Sequence, residues 1–348
     1  MTTAIEPPRV APELAEVRDK VLAGERLDLD DGVTLLESHD LLGLGALADL
    51  ARRLRGGTDE VFFVNNLYLN HTTICRVKCK FCAFARTSKQ EGAFTMTPEE
   101  LVAHAQSVRE YQDFTEIHMV GGESPHITFD YYLDCVRALR AGLPDVHLKL
   151  FTASEVHHMT KLSGLTHEQV LRELIAAGLD TLPGGGAEVF SPRVRKIVAP
   201  GKEPGAQWLE THRIAHTLGL KTHCTMLYNH VETYEERIEH LLALRDLQDE
   251  TGGFMAFIPL PFHPQNTVFE RRGWTFTTGM DDLKMIAVAR LLLPHADGGH
   301  TTDRYRLVPF GARPWARCAD DSTVAADAPC SFANASTADL FRCLRASL

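Results

Sequence analysis

Val61-Phe-Phe-Val-Asn-Asn-Leu-Tyr-Leu69 runs directly into Asn70-His-Thr-Thr-Ile-Cys75-Arg-Val-Lys-Cys79-Lys-Phe-Cys82. The first part is a short, mostly apolar run of the kind that forms a parallel strand covered on both faces. The second is a polar loop carrying three closely spaced cysteines. A loop of reactive side chains directly after a strand is what a (β/α) barrel places at its active face. Reading outward from this joint, helix and strand patterns alternate. Thr97 and Pro98 open a helix to about Tyr111, with threonine as N-cap and proline at the first helical position. Glu116–Val120 is a strand closed by Gly121-Gly122. Helices are then expected at 129–141, 167–177, 206–218, 234–247 and 281–293, and strands at 146–151, 179–182, 220–227 and 254–259. Such alternation predicts a parallel sheet. Gly-rich stretches just after strands favour a TIM-like (β/α) barrel over a doubly wound sheet.

Three regions follow from this pattern. Residues 1–57 form an N-terminal helical extension, helical in pattern over 12–56 and ending at Gly56-Gly57. Residues 58–293 form the barrel core of six strand–helix units. Residues 294–348 are an atypical C-terminal tail rich in Ala, Asp, Arg and Pro, with Tyr305-Arg-Leu-Val308 as its one strand candidate. Closure of the barrel at this end is left open, and the tail is expected to be less ordered than residues 60–293.

The composition narrows the function. Hydrophobic residues make up 44% of the 348, enough for a sizeable core. A net charge of −10 without a Lys/Arg run disfavours nucleic acid and anionic membranes as partners. The N-terminus lacks the basic and apolar regions of a signal peptide, and no window has the roughly 18 consecutive apolar residues of a membrane span. The expected location is the cytoplasm, where eight cysteines are not a disulfide framework. Cys135, Cys224, Cys318, Cys330 and Cys343 are scattered and read as buried small side chains or tail residues.

The crowded three need a chemical account. C-x3-C-x2-C supplies three thiolates from one tight loop, and a cubane iron–sulfur cluster takes four ligands, so one iron is left open. A structural zinc site is the alternative, with His71 or a distant cysteine as its fourth ligand. No second cysteine pair follows at a zinc-site distance, and Phe81 precedes the third cysteine.

This motif resembles that of the radical S-adenosylmethionine (SAM) superfamily. The resemblance implies a [4Fe–4S] cluster on Cys75, Cys79 and Cys82, with the amino and carboxylate groups of SAM chelating the open iron. Asn70–Cys75, Cys82-Ala-Phe-Ala85, Leu182-Pro-Gly-Gly-Gly-Ala-Glu188, Thr225-Met-Leu-Tyr-Asn-His230 and Leu247–Phe254 look like the menaquinone and deazaflavin branch. Leu150-Phe-Thr-Ala-Ser-Glu155 and Phe257–Thr267 most resemble the aminofutalosine synthase family within it. That family implies addition of the adenosyl radical to 3-[(1-carboxyvinyl)oxy]benzoate, then rearrangement and decarboxylation to 6-amino-6-deoxyfutalosine in menaquinone biosynthesis. An electron donor such as flavodoxin or ferredoxin is implied as well. Sister readings are a dehypoxanthine futalosine cyclase, a deazaflavin (FO) synthase subunit, and a non-catalytic remnant with a defective C-terminus.

The same resemblance distributes roles. Phe81, Gly121, Gly122, Glu123, Gly184, Gly185, Gly186 and Glu188 are expected around SAM. His118, Glu155, Tyr228 and His230 are the catalytic candidates, with Thr152 and His263 as further donors near strand ends. His157 and His158 are expected on a solvated surface, and Asp249-Glu250 in caps or salt bridges. The sequence departs from the family at Ser124, where a histidine is usual and His126 is a candidate substitute, and along residues 294–348. An altered reading frame near the 3′ end of the gene would account for the tail, and resequencing would test that.

Overall fold

A computed structural model describes residues 6–55 and 64–293, and the backbone of 306–307. The sheet comprises β1 (Asn66–Asn70), β2 (Glu116–Val120), β3 (His147–Leu150), β4 (Thr181–Leu182), β5 (Lys221–Tyr228), β6 (Phe254–Pro261) and β7 (Arg306–Leu307). Every pairing is parallel and the spatial order is the chain order. This is the curled, one-directional sheet of a TIM-like barrel. The first strand starts at Asn66 rather than Val61, where its ladder with Glu116 begins; residues 61–63 lie outside the described residues. The expected strand at Tyr305–Val308 is present as β7, paired to β6 through Ala256↔Arg306 and Phe257↔Leu307. The rest of the proposed tail lies outside the described residues.

Helices α4 (Pro98–Arg109), α5 (Phe129–Gly142), α7 (His167–Ala177), α9 (Gly205–Thr217), α10 (Tyr234–Thr251) and α11 (Gly279–Leu292) stand where the 3.6-residue pattern put them. Two more were not expected: α6 (Ala153–Ser163) begins in a stretch read for a site motif, and α8 (Pro192–Val198) lies in one given no element. The start of α6 is written in the sequence as a capping box. Thr152 accepts from the Glu155 backbone amide and Glu155 accepts from that of Thr152. His158 is therefore not on a solvated surface: it lies on the buried face of α6, 2% exposed, and meets the Ser124 carbonyl at 2.9 Å.

Alternation along each strand separates two faces. Leu67, Leu69, Ile117, Met119, Leu148 and Leu150 pack outward against the helices, as do Cys224, Met226, Phe254 and Phe257. Each such residue contributes about 1.5–3 kcal/mol on full burial, so the stability of the chain resides on this convex side. The N-terminal extension forms α1 (Ala15–Ala23), α2 (Leu29–Glu37) and α3 (Leu41–Leu54), which cover α10 and α11. Arg55 donates to the Arg290 carbonyl, Arg245 to that of Leu27 and Arg26 to the Asp249 carboxylate. Glu250 pairs with Arg213, so Asp249-Glu250 are bridging residues, as expected from the sequence.

Candidate active site

The concave face carries the intervening strand residues, and they are covered differently. Tyr68 is 38% exposed between Leu67 and Leu69. His118, His223, Leu227, Met255, Ile258 and Leu260 are likewise only half-buried. A closed barrel interior is filled by branched aliphatic side chains; here polar rings line it. Tyr68, His118 and Lys149 are register neighbours on β1, β2 and β3. The Tyr68 and His118 rings lie 4.9 Å apart, and Lys149 pairs with Glu116 in a buried contact. Burial, then the Lys149 charge, holds His118 well below the ordinary histidine range. It is thus a neutral donor and acceptor at working pH. His223 is pushed to about 3, chiefly by burial, and its Nδ1 has no partner among the described residues.

Backbone strain collects at one end of the sheet. Among the described residues the non-glycine positive φ values are at Lys78, Phe151, Glu188, Asn229 and Asn266. Each follows the C-terminal end of a strand, β1, β3, β4, β5 and β6 in turn. Such conformations cost of order 1–3 kcal/mol each and mark functional loops.

The cysteine loop is fixed by main-chain bonds before any ligand is considered. Cys75 N donates to the Arg86 carbonyl, Arg86 N to Thr73, Arg76 N to Glu123 and Lys80 N to Val198 at 2.7 Å. Gly122 N donates to Thr72. A Cβ on Gly122 would stand 2.3 Å from the Ile74 carbonyl oxygen and 2.9 Å from the Cys75 Cβ, so only glycine lets this turn reach the loop. The three thiols form one electrostatic group: Cys79 feels Cys75 and Cys82, and Cys82 feels Cys75. Burial pushes the Cys79 thiol up to about 12. Burial also raises Cys82, against backbone hydrogen bonds from Phe84 and Ala85.

These residues fit an iron–sulfur cluster. Buried thiols with raised pKa are released as thiolates by a metal's charge, and the amides at Phe84 and Ala85 face the sulfur that would bear it. Among the described residues no three His, Cys, Asp or Glu side chains are gathered as a single ion needs. Three thiols from one loop leave one of the four irons of a cubane open, whereas a structural zinc ion takes four protein ligands.

Around the loop the expected residues divide. Glu155 is 2% exposed and joins three strand ends. It accepts from Gly121 N at 3.0 Å, Thr152 N at 2.8 Å and Thr152 Oγ1 at 2.9 Å, and meets His71 Nε2 at 3.0 Å. Glu123 bonds Arg76 at 3.0 Å; burial raises its carboxyl to about 7, against the Lys202 and Arg76 charges. Glu188 accepts from Lys202 Nζ at 2.6 Å. Burial alone would raise the Glu188 carboxyl, but the Lys202 ammonium overrides it and holds it low. Lys202 also stands 5.8 Å from the centre of the Phe81 ring. Gly184 lies against the Cys224 backbone and Gly185 against Thr152, while Gly186 has φ +92 beside Ser154.

His230 is buried at the end of β5, with Nδ1 at 2.8 Å from Glu232 and accepting from Val231 N at 2.8 Å, and with Nε2 unpartnered among the described residues. The Glu232 carboxyl, despite its burial, is held at about 2 by His230 and Arg237. His263 Nδ1 is also unpartnered. Tyr228 is not brought to this group. It alternates onto the convex face, in the apolar core, and donates its hydroxyl to Asp282 at 2.6 Å.

Lys202, Arg76 and Tyr68 are site residues that the sequence reading missed. Tyr68 sits inside a strand and Lys202 in the short turn Pro200-Gly201-Lys202; only the alternation of β1 pointed to Tyr68. Beside the cysteines a cavity of about 390 Å³ is lined by Cys79, Cys82, Lys78, Lys80, Arg86 and Arg271 and, among the described residues, by no carboxylate. Among the described residues no helix is long and apolar enough to cross a membrane.

The chain is similar to known proteins. Residues 69–244 match the radical SAM superfamily. The chain is 47% identical over 292 residues to an aminodeoxyfutalosine synthase of Thermus thermophilus, covering 82% of this chain and 78% of the relative. It is 43% identical over 293 residues to the aminodeoxyfutalosine synthase of Streptomyces coelicolor, covering 80% and 75%. A cyclic dehypoxanthine futalosine synthase of that organism is 37% identical over 284 residues, covering 81% and 70%. The crystal structure of methylornithine synthase (PylB) superposes with a TM-score of 0.62 at 20% identity, covering 79% of this chain and 76% of that one. That last likeness is one of fold.

Proposed function

The chain belongs to the radical SAM superfamily, and we propose that it carries out the aminodeoxyfutalosine synthase reaction. The observation that carries the reading is the 47% identity over most of both chains. The greater similarity to two such synthases than to the cyclic dehypoxanthine futalosine synthase supports it over that sister enzyme. Cys75, Cys79 and Cys82 would hold the cluster. When bound, the cluster supplies the single electron that cleaves SAM into methionine and a 5′-deoxyadenosyl radical.

The chain's own groups would do the positioning. Arg76, Glu123, Glu188 and Lys202 ring the cysteine loop with paired charges suited to the amino and carboxylate ends of SAM. Glu155 holds the ends of β1, β2 and β3 in one relation, a positioning role, since its oxygens already accept from protein donors. The concave face would take the aromatic enolpyruvyl ether, with Tyr68 and His118 offering a ring surface and neutral polar atoms. His230, with one nitrogen on Glu232 and the other open, is the remaining candidate for contact with a substrate oxygen.

Anaerobic incubation with reductant, SAM and 3-[(1-carboxyvinyl)oxy]benzoate should give one product whose mass contains both the adenosyl group and the aromatic carboxylate. Mass spectrometry decides the matter. Stoichiometric free 5′-deoxyadenosine and no adduct would move the function to a hydrogen-abstracting sister enzyme. No SAM cleavage by a fully iron-loaded protein would favour the remnant reading.

The cavity at Cys79 and Cys82 supports an acidic protein as electron donor. The chain has a net charge of −10, yet among the described residues four cations and no carboxylate line this opening. Charge-steered association weakens with salt because the Debye length falls to roughly 8 Å at about 0.15 M ionic strength. SAM cleavage driven by reduced flavodoxin should therefore slow several-fold as salt rises from about 50 to about 300 mM. The rate with dithionite serves as the reference, and equal slowing in both would argue against this donor surface.

A further inference from the structure

We propose that Lys202 and Glu188 set the reduction potential of the cluster in opposite directions, with Lys202 as the positive charge that makes the cluster easier to reduce. The inference rests on the cluster reading above and concerns what this chain adds to it. Lys202 lies in the turn between α8 and α9, and that turn is docked on the cysteine loop at two points. Lys80 N donates to the Val198 carbonyl at 2.7 Å, and a Cβ on Gly201 would stand 3.2 Å from the Val77 carbonyl oxygen. From there the ammonium reaches over Phe81, the residue just before Cys82, at 5.8 Å from the ring centre. Its partner is the Glu188 carboxylate at 2.6 Å, from the loop after β4. The two side chains are only 12% and 8% exposed, so solvent and salt screen them weakly.

Reduction adds an electron, so a fixed positive charge nearby favours the reduced state and a fixed negative charge disfavours it; charge is one of the levers on cluster potential. Lys202 is placed beside two of the three cysteines: its ammonium lies over Phe81, next in sequence to Cys82, and its turn is bonded to Lys80, next in sequence to Cys79. Glu188 opposes it from the far side of the ion pair. The neighbouring Glu203 is turned away, bonded to Ser154 at 2.7 Å and 3.8 Å from Arg195. Arg76 is paired with Glu123. Arg76 is also 36% exposed, so solvent screens it more than the nearly buried Lys202 and Glu188.

The test is a redox titration of the anaerobically reconstituted protein without SAM, following the reduced cluster by electron paramagnetic resonance. Lys202→Met keeps the stem against Phe81 and removes the charge. It should shift the oxidised-to-reduced equilibrium at least tenfold toward the oxidised form, which for a one-electron couple is ~59 mV. Glu188→Gln should shift it the other way, and Lys202→Arg should stay within threefold of wild type. Opposite signs for the two charge-removing variants are the essential result, because a merely structural disturbance has no reason to reverse. Potentials unmoved in both, or moved in one direction in both, would overturn the proposal. If Lys202→Met fails to take up iron, Glu188→Gln decides alone by whether its potential rises. A wild-type protein that binds no iron would instead sink the cluster reading, and iron analysis reads this before any titration.

Discussion

Cys79→Ala protein, reconstituted anaerobically with iron and sulfide, is expected to lose most of its iron and all cleavage of SAM. Three thiolates from one loop are the protein's whole contribution to a cubane, and two leave half the irons without a protein ligand. Cys79 is also the thiol for which burial matters most plainly. With its pKa pushed up to about 12, it is neutral until a metal's charge takes the proton, so cluster binding and thiolate formation are one event. The fold should survive, because the loop is held by the main-chain bonds of Cys75, Arg76, Lys80 and Arg86 and not by the sulfur. Far-ultraviolet circular dichroism should be unchanged. Cys135→Ala is the control: Cys135 is fully buried on the helix side, in the core formed by α4, α5 and α7, and its loss should leave the iron in place. Stoichiometric zinc in a colourless wild-type protein would refute the cluster assignment.

The strand–helix alternation and the cysteine loop were legible because each is a local signal. Apolar runs, Thr97 before Pro98 and a C-x3-C-x2-C spacing need no knowledge of distant residues. What stayed hidden depends on contacts between distant parts of the chain. Tyr228 reads as a strand-end hydroxyl until alternation along β5 is followed far enough to put it with Cys224 and Met226 on the convex face. His158 reads as a surface residue unless Thr152-x-x-Glu155 is taken as the start of a helix. Lys202 carries no signal at all, since its meaning comes from a turn folded back onto residues more than a hundred positions earlier. The glycines fall between these cases. Gly121-Gly122 announces a turn, but that the turn exists to touch the cysteine loop follows only from the 2.3 Å approach to Ile74.

Glu155→Ala is expected to be the most destabilising single change at the site. Its carboxylate is the shared acceptor for His71 after β1, Gly121 after β2 and Thr152 after β3, so one side chain fixes three strand ends. Removing it leaves the His71 ring, which is fully buried, and the Gly121 amide without that acceptor. Each buried donor left unsatisfied costs about 1–3 kcal/mol, so the pair alone gives roughly 2–6 kcal/mol. That corresponds to a fall of roughly 4–12 °C in the melting midpoint at about 2 °C per kcal/mol. Thr152→Ala separates the two jobs of the carboxylate. It removes the threonine half of the capping box, worth about 1 kcal/mol, while Gly121 and His71 keep their acceptor. Glu155→Gln should fall between, since the amide retains one acceptor oxygen but turns a donor toward a donor. Because Gly122 contacts Cys75 and follows directly on Gly121, the alanine variant should also take up iron more slowly than Thr152→Ala. A Glu155→Ala protein that melts within a degree or two of wild type and loads iron at the same rate would show that the three strand ends hold their places without it.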